Sequence, residues 1–228
     1  MVRRRRTVWL TALIERTSIR DLWNRPHHGG PRNSRLLLAF FVAALAAEHL
    51  LQPALDPEQH RISEYANGSP GWLMTAGFVA WALSLATTAH VVGGSELWPR
   101  TGRTAVCALL AVAAGGALVT ALFNTGTSAG LVPAGRHLTT GNHLHDAGSG
   151  VLALALWGAA LGSLLVHERL LRAWVVGVLM TSVACTVALS AAGLPGVEQR
   201  ALVLLACVWQ WALLAAVGRV EGQSLPGT

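Results

Sequence analysis

Three short stretches carry the residues best suited to chemistry: Ile62-Ser63-Glu64-Tyr65-Ala66-Asn67-Gly68, Asn142-His143-Leu144-His145-Asp146 and Glu198-Gln199-Arg200. A glutamate, an imidazole and an aspartate at helix ends are the groups that move protons at ordinary pH, so Glu64, His145 and Asp146 are the candidate catalytic residues. Ser63, Tyr65, Asn124, Glu198 and Arg200 add hydroxyl, amide, carboxylate and guanidinium groups that suit substrate binding. Imidazole and carboxylate are also zinc donors, which makes His143, His145 and His49 candidate ligands and zinc the cofactor they would take. Helix geometry limits that reading. His143 and His145, two residues apart, point to nearly opposite helix faces, whereas His143 and Asp146 share one. A metal would then need partners from other helices, such as His49, His60 or Glu64. The competing reading is a histidine and carboxylate network without metal that caps a bundle. Each stretch also has a purely structural reading: Ile62 to Gly68 as a corner of the chain, and Glu198 with Arg200 as the acid of a helix's first turn and a partner for Glu64 or Asp146.

The elements that must position these residues are membrane spans. Of the 228 residues, 53% are hydrophobic and only 12% charged, with a mean hydropathy of +0.47. An average soluble domain carries roughly 25% charged residues, so the composition points away from a soluble enzyme. The apolar residues fall into six blocks, 36 to 52, 72 to 92, 104 to 123, 147 to 166, 173 to 192 and 201 to 218. Each is close to the ~20 residues that cross a bilayer. The expected fold is all-α: a basic N-terminal arm over 1 to 34, a six-helix transmembrane domain over 35 to 219, and a short tail over 220 to 228. Thr7 to Trp23 reads either as an interfacial amphipathic helix or as a basic arm that only fixes topology. Gly115-Gly116, Gly158 with Gly162 and Ala188 with Ala192 are small residues that let helix backbones approach, and Gln210 inside the sixth span calls for a partner on a neighbouring helix.

The net charge of +6 comes with a pI near 10.9, and every basic residue is an arginine. Nine of these lie in the first 35 residues and the rest cap apolar blocks, which is the pattern of charge kept out of hydrocarbon rather than of a nucleic-acid surface. With the N-terminus inside, fourteen arginines fall on the cytoplasmic side and three, Arg61, Arg136 and Arg200, outside. That asymmetry predicts a multi-pass protein of the cell membrane with both termini cytoplasmic. The longer loops, 53 to 71 and 124 to 146, then face outward with Asp56, Glu58, His60, Glu64, Tyr65, His137, His143, His145 and Asp146. The three cysteines show no CxxC spacing and read as small core residues.

The run Ile62 to Met74 (ISEYANGSPGWLM), the stretch HLHDAG at the head of the fourth span and the run Gly193 to Trp209 (GLPGVEQRALVLLACVW) resemble the bacterial and archaeal integral membrane family catalogued as domain of unknown function 998. The resemblance covers about residues 36 to 218. It implies six spans and marks Ser63, Glu64, Tyr65, Trp72, His145 and Arg200 as matched positions. Members of that family commonly carry an acid shortly after a Phe at the end of the third span, where this chain reads Phe123-Asn124-Thr125-Gly126. The resemblance implies a fold and a site, and no particular reaction. The expected function is a small membrane enzyme using the outward cluster on a lipid or other apolar substrate. The alternatives are a noncatalytic membrane partner or sensor, and a transporter subunit, against which stands the scarcity of charge at mid-span.

Overall fold

The computed structural model describes residues 30–129 and 131–223. Six helices follow one another: α1 (Gly30–Leu51), α2 (Trp72–Gly94), α3 (Arg100–Leu122), α4 (Thr140–Gly162), α5 (Arg169–Ala191) and α6 (Pro195–Gln223). All six are long and apolar enough to cross a membrane, as the sequence predicts. The proposed interfacial segment 7 to 23 lies outside the described residues.

Five of the six helices start earlier than their apolar blocks, and local sequence explains three of these starts. Pro31 and Pro195 occupy the first turns of α1 and α6, where a missing N–H costs nothing and the fixed φ suits a helix. The first helix therefore takes in Gly30 to Ser34, which the sequence reading assigns to the arm. In α4 a capping box does the same: Thr139 Oγ1 accepts from Asn142 N at 3.3 Å, and Asn142 Oδ1 accepts from Thr139 N at 2.9 Å. His143, His145 and Asp146 consequently sit within a formed helix.

The polypeptide packs largely in chain order, α1 on α2, α2 on α3, α3 on α4 and α5 on α6, with α6 returning to α1 and α2. Arg219 meets Glu168 at 3.8 Å, which puts the end of α6 beside the α4–α5 connection. Gly30 approaches Val91 near the end of α2. The two ends of the described chain thus share one end of the bundle, here the short-loop end. The opposite, long-loop end carries segments 52–71 and 123–139.

Two features lock the interior. A closed polar network ties α1, α2 and α6: Ser34 Oγ donates to Ser84 O at 2.9 Å, Ser84 Oγ to Ser34 O at 2.8 Å, and Gln210 Nε2 to Ser84 Oγ and Thr88 Oγ1 at 2.9 and 2.8 Å. Trp81 Nε1 completes it by donating to Gln210 Oε1 at 3.2 Å. This is the interhelical partner the sixth span demands, and in an apolar interior such groups must satisfy one another. Between α3 and α4 the backbones nearly touch at Gly116 and Gly148. A Cβ on Gly116 would lie 2.7 Å from Leu152 N and 2.8 Å from Gly148 O, neither of which can swing aside, whereas one on Gly115 meets nothing within 4 Å. We expect Gly116→Val to lower the apparent melting temperature in detergent, at a cost of roughly 1–3 kcal/mol from overpacking, and Gly115→Val to leave it within experimental scatter. Equal melting of the two variants would contradict the close crossing.

Candidate functional site

The long-loop end is organised by a six-residue 3-10 turn, Ile62–Asn67, set into the mouth of the bundle. A 3-10 helix has three residues per turn, so consecutive side chains point about 120° apart. Ser63, Glu64 and Tyr65 therefore address three different sectors, and all three are buried. The turn itself is anchored to α6, because Ile62 N donates to Gln199 Oε1 at 2.8 Å.

Tyr65 points towards α1 and α6. Its hydroxyl donates to Leu55 O at 3.2 Å and accepts from an Arg200 terminal nitrogen at 3.0 Å. The guanidinium of Arg200 also donates through Nε to His49 Nε2 at 2.8 Å. Its other terminal nitrogen faces the carbonyls of Pro57, His60 and Gly196 at 2.8, 2.6 and 2.8 Å. Arg200 thus gathers α1, the 56–60 loop, the 3-10 turn and its own helix, in place of the ion pair with Glu64 or Asp146 that its sequence position suggests. His49 accepts at Nε2, so its Nδ1 carries the proton and donates to Leu45 O at 2.6 Å. Glycine at 196 is required here: a Cβ would run into the backbone of Pro57, Glu58 and His60.

Glu64 points to the other side and holds the α3–α4 connection. Its carboxylate accepts from Ala129 N at 2.8 Å and from Thr127 Oγ1 at 3.3 Å. Ala129 has φ 50, a left-handed conformation that a non-glycine residue adopts only at a cost, and it sits in the tight turn closed by Ser128 and Leu131. A second buried carboxylate, Glu48, works in the same manner on α2. It accepts from Met74 N at 3.0 Å, in the first turn of a helix whose own N-cap, Gly71, offers no side chain, and from Gln52 Nε2 at 2.7 Å. Gln52 reaches on to Tyr65 O at 2.7 Å. The sequence reading gave Gln52 no role. Its signal was the i, i+4 spacing from Glu48.

Ser63 faces the third sector, a cleft of about 150 Å³. At the long-loop rim the cleft is polar, with Ser63, Thr120, Ser149 and Gln199; below, Phe78, Trp81, Leu152, Leu156, Leu202 and Val203 make it apolar. Thr120 Oγ1 and Ser149 Oγ are 3.2 Å apart. His145 is buried and lies one helical turn above Ser149 on the same face of α4, at the head of the stripe that continues through Leu152 and Leu156 into the cleft. Its Nδ1 lies 2.7 Å from Phe123 O and 3.1 Å from Thr120 O. Carbonyl oxygens only accept, so Nδ1 bears the hydrogen and the neutral ring keeps its lone pair on Nε2.

The remaining predicted residues stand apart from this cleft. His143 and Asp146 are exposed on another face of α4, together, as helical spacing requires. Asn124 is exposed, and its carbonyl accepts from Asn142 Nδ2 at 2.8 Å. Glu198 accepts from Ser190 Oγ of α5 at 2.7 Å. The three histidines weighed for zinc do not converge, since His49 is bound to Arg200 and His143 and His145 look in different directions. Among the described residues no three His, Cys, Asp or Glu side chains gather into a metal-binding group. The donors among the described residues do not fit a zinc site. Thr120 and Ser149 were missed by the sequence reading; hydroxyls inside apolar spans were the available signal.

No curated protein and no solved structure matches the chain. One family does, over residues 36–217, a range that contains the 3-10 turn, His145 and Arg200. The chain is therefore a multi-pass helical protein that belongs to the family described as protein of unknown function (DUF998).

Proposed function

We propose that the protein is a membrane enzyme that takes an apolar substrate, a lipid, into the cleft between α4 and α6 and transfers a proton at the substrate's polar end, with His145 as the proton-transferring residue. The observation that carries this reading is the division of the cleft, apolar along its depth and polar only at the rim over which His145 stands. Small-molecule sites are mostly apolar with a few placed polar groups, and a fixed imidazole tautomer with an available lone pair is a general base. Tyr65 and Arg200 position the turn that bears Ser63, and Glu64 holds the loop beside it. The deeper polar groups, Ser34, Ser84, Thr88 and Gln210, bond one another and do not line the cleft, which favours an enzyme over a transporter. The arginine asymmetry puts the long-loop end on the outer face of the cell membrane, both termini in the cytoplasm, and the substrate in the outer leaflet.

The test is conversion of lipid by the full chain reconstituted into phosphatidylethanolamine and phosphatidylglycerol vesicles, followed by mass spectrometry. Wild type is expected to generate a product, and His145→Ala, which loses a buried ring bonded to two carbonyls and so melts lower, to slow it on the order of 100-fold or more at a temperature where both proteins remain folded. Conversion at the wild-type rate by His145→Ala, or none by wild type, would refute the reading.

A further inference from the structure

The cleft lies where two helices part. α3 packs on α4 and α6 packs on α5, α1 and α2, but α4 and α6 are not among the packed pairs, and it is these two that flank the cleft. Within a membrane, the medium on either side of such a gap is lipid chain. No arginine, aspartate or glutamate lines the cleft, so a charged headgroup finds no partner within it.

The size is restrictive. A dry apolar cavity of about 150 Å³ admits a group such as benzene. Along α4 the lining runs from Ser149 to Trp157, about 12 Å of helix. A space of that length and volume takes a stretch of one extended chain and excludes two side by side.

One side chain marks which end of the chain goes where. Ser63 is 5% exposed, lines the rim of the cleft, and its hydroxyl makes no hydrogen bond to any of the described residues. Unlike the fully enclosed unpaired nitrogens of Arg35, Trp98 and Trp209, its oxygen keeps open surface, and beside lipid chain that surface meets no hydrogen-bonding medium, which is costly for a hydroxyl. The rest of the turn has its partners: Ile62 N on Gln199, the Glu64 carboxylate on Ala129 and Thr127, the Tyr65 hydroxyl on Leu55 and Arg200. The donor left over is the one aimed at the cleft.

We propose that the cleft binds a single alkyl chain ending in an uncharged carbonyl group, an ester or a protonated carboxyl, entered sideways from the bilayer between α4 and α6, with the Ser63 hydroxyl donating to the carbonyl oxygen at the head of the chain. This deepens the functional reading above and rests on it for the use made of the chain, while occupancy itself requires no turnover. The carbonyl then lies at the rim below His145, the methylenes run past Leu152 and Leu202, and Trp81 and Leu156 bound the deep end.

Photolabelling of the full chain in phosphatidylethanolamine and phosphatidylglycerol vesicles tests this. One arm carries a trace of phospholipid with a diazirine in its acyl chain, the other a diazirine fatty acid, and adducts are mapped by mass spectrometry. Labelling at the lining positions of 149–157 and 199–206 is expected to exceed that at the lipid-facing Leu154 and Leu170 several-fold in at least one arm, and that arm identifies the source of the chain. Ala206→Trp and Ala153→Trp, which fill the cleft from opposite walls, should each remove the excess and leave Leu170 labelled as before. Ser63→Ala should reduce it. His145→Ala should retain it, so a failure of the enzymatic reading leaves the binding site standing. Lining positions labelled no more than Leu154 and Leu170 in both arms, or an excess that survives both tryptophan variants, would overturn the proposal.

Discussion

Replacement of Arg200 by leucine should make Tyr65 reactive. Tyr65 is the single tyrosine of the sequence and is fully buried, so tetranitromethane applied to folded wild-type protein should leave it unmodified and any nitrotyrosine reports opening of the long-loop end. Arg200 is bonded at once to His49, to the Tyr65 hydroxyl and to the carbonyls of Pro57, His60 and Gly196. Hydrogen bonds to a charged group contribute about 1.5–3 kcal/mol each, and those at one guanidinium are not additive, so a loss of roughly 3–5 kcal/mol is expected for the variant. Arg200→Lys should nitrate nearly as fast as Arg200→Leu. An ammonium is a compact point charge that cannot span partners lying around a planar fork, and the stacking of the guanidinium over the Tyr65 ring, 5.5 Å from its centroid, goes as well. Nitration of Arg200→Lys at the wild-type rate would show that charge alone holds the turn.

Much of this arrangement was legible beforehand, for identifiable reasons. Span length and apolar content are set by the bilayer, so the six blocks were recoverable from composition alone, and the helix starts at Gly30, Thr140 and Pro195 differ from the apolar boundaries because caps and prolines, not hydropathy, decide where a helix begins. The periodicity of α4 correctly separated His143 and Asp146 from His145. What periodicity cannot supply is the identity of partners across helices. Residue type suggests that Arg200 should find Glu64 or Asp146, yet the guanidinium meets neutral acceptors and Glu64 is occupied with a loop backbone; both choices depend on a 3-10 turn whose 120° spacing separates Glu64 from Tyr65. The cleft was illegible for the same reason. Its walls come from α2, α3, α4 and α6, and apolar residues lining a gap have the same composition as those filling a core.

The hold of Glu64 on the α3–α4 connection leads to the second large effect. Segment 123–139 contains one tryptic site, at the exposed Arg136, and is otherwise free of lysine and arginine. Glu64→Ala removes the acceptor for Ala129 N and Thr127 Oγ1 and leaves a left-handed alanine to hold its conformation unaided. Two bonds to a buried carboxylate contribute on the order of 3 kcal/mol together, and where local opening precedes cleavage that corresponds to roughly a hundredfold in the open population. Trypsin should therefore nick Glu64→Ala at Arg136 roughly a hundred times faster than wild type. Glu64→Gln should fall between, because its amide oxygen can still accept from Ala129 N while its NH2 group can donate to Thr127 Oγ1, but without the strength a charge gives each bond. This ordering separates the anchoring role from an acid-base one. If the loop is what Glu64 serves, lipid conversion should follow the same sequence, wild type above Gln above Ala, in step with nicking; a Gln variant that resists trypsin like wild type yet converts nothing would make the Glu64 carboxylate itself a proton-transfer group.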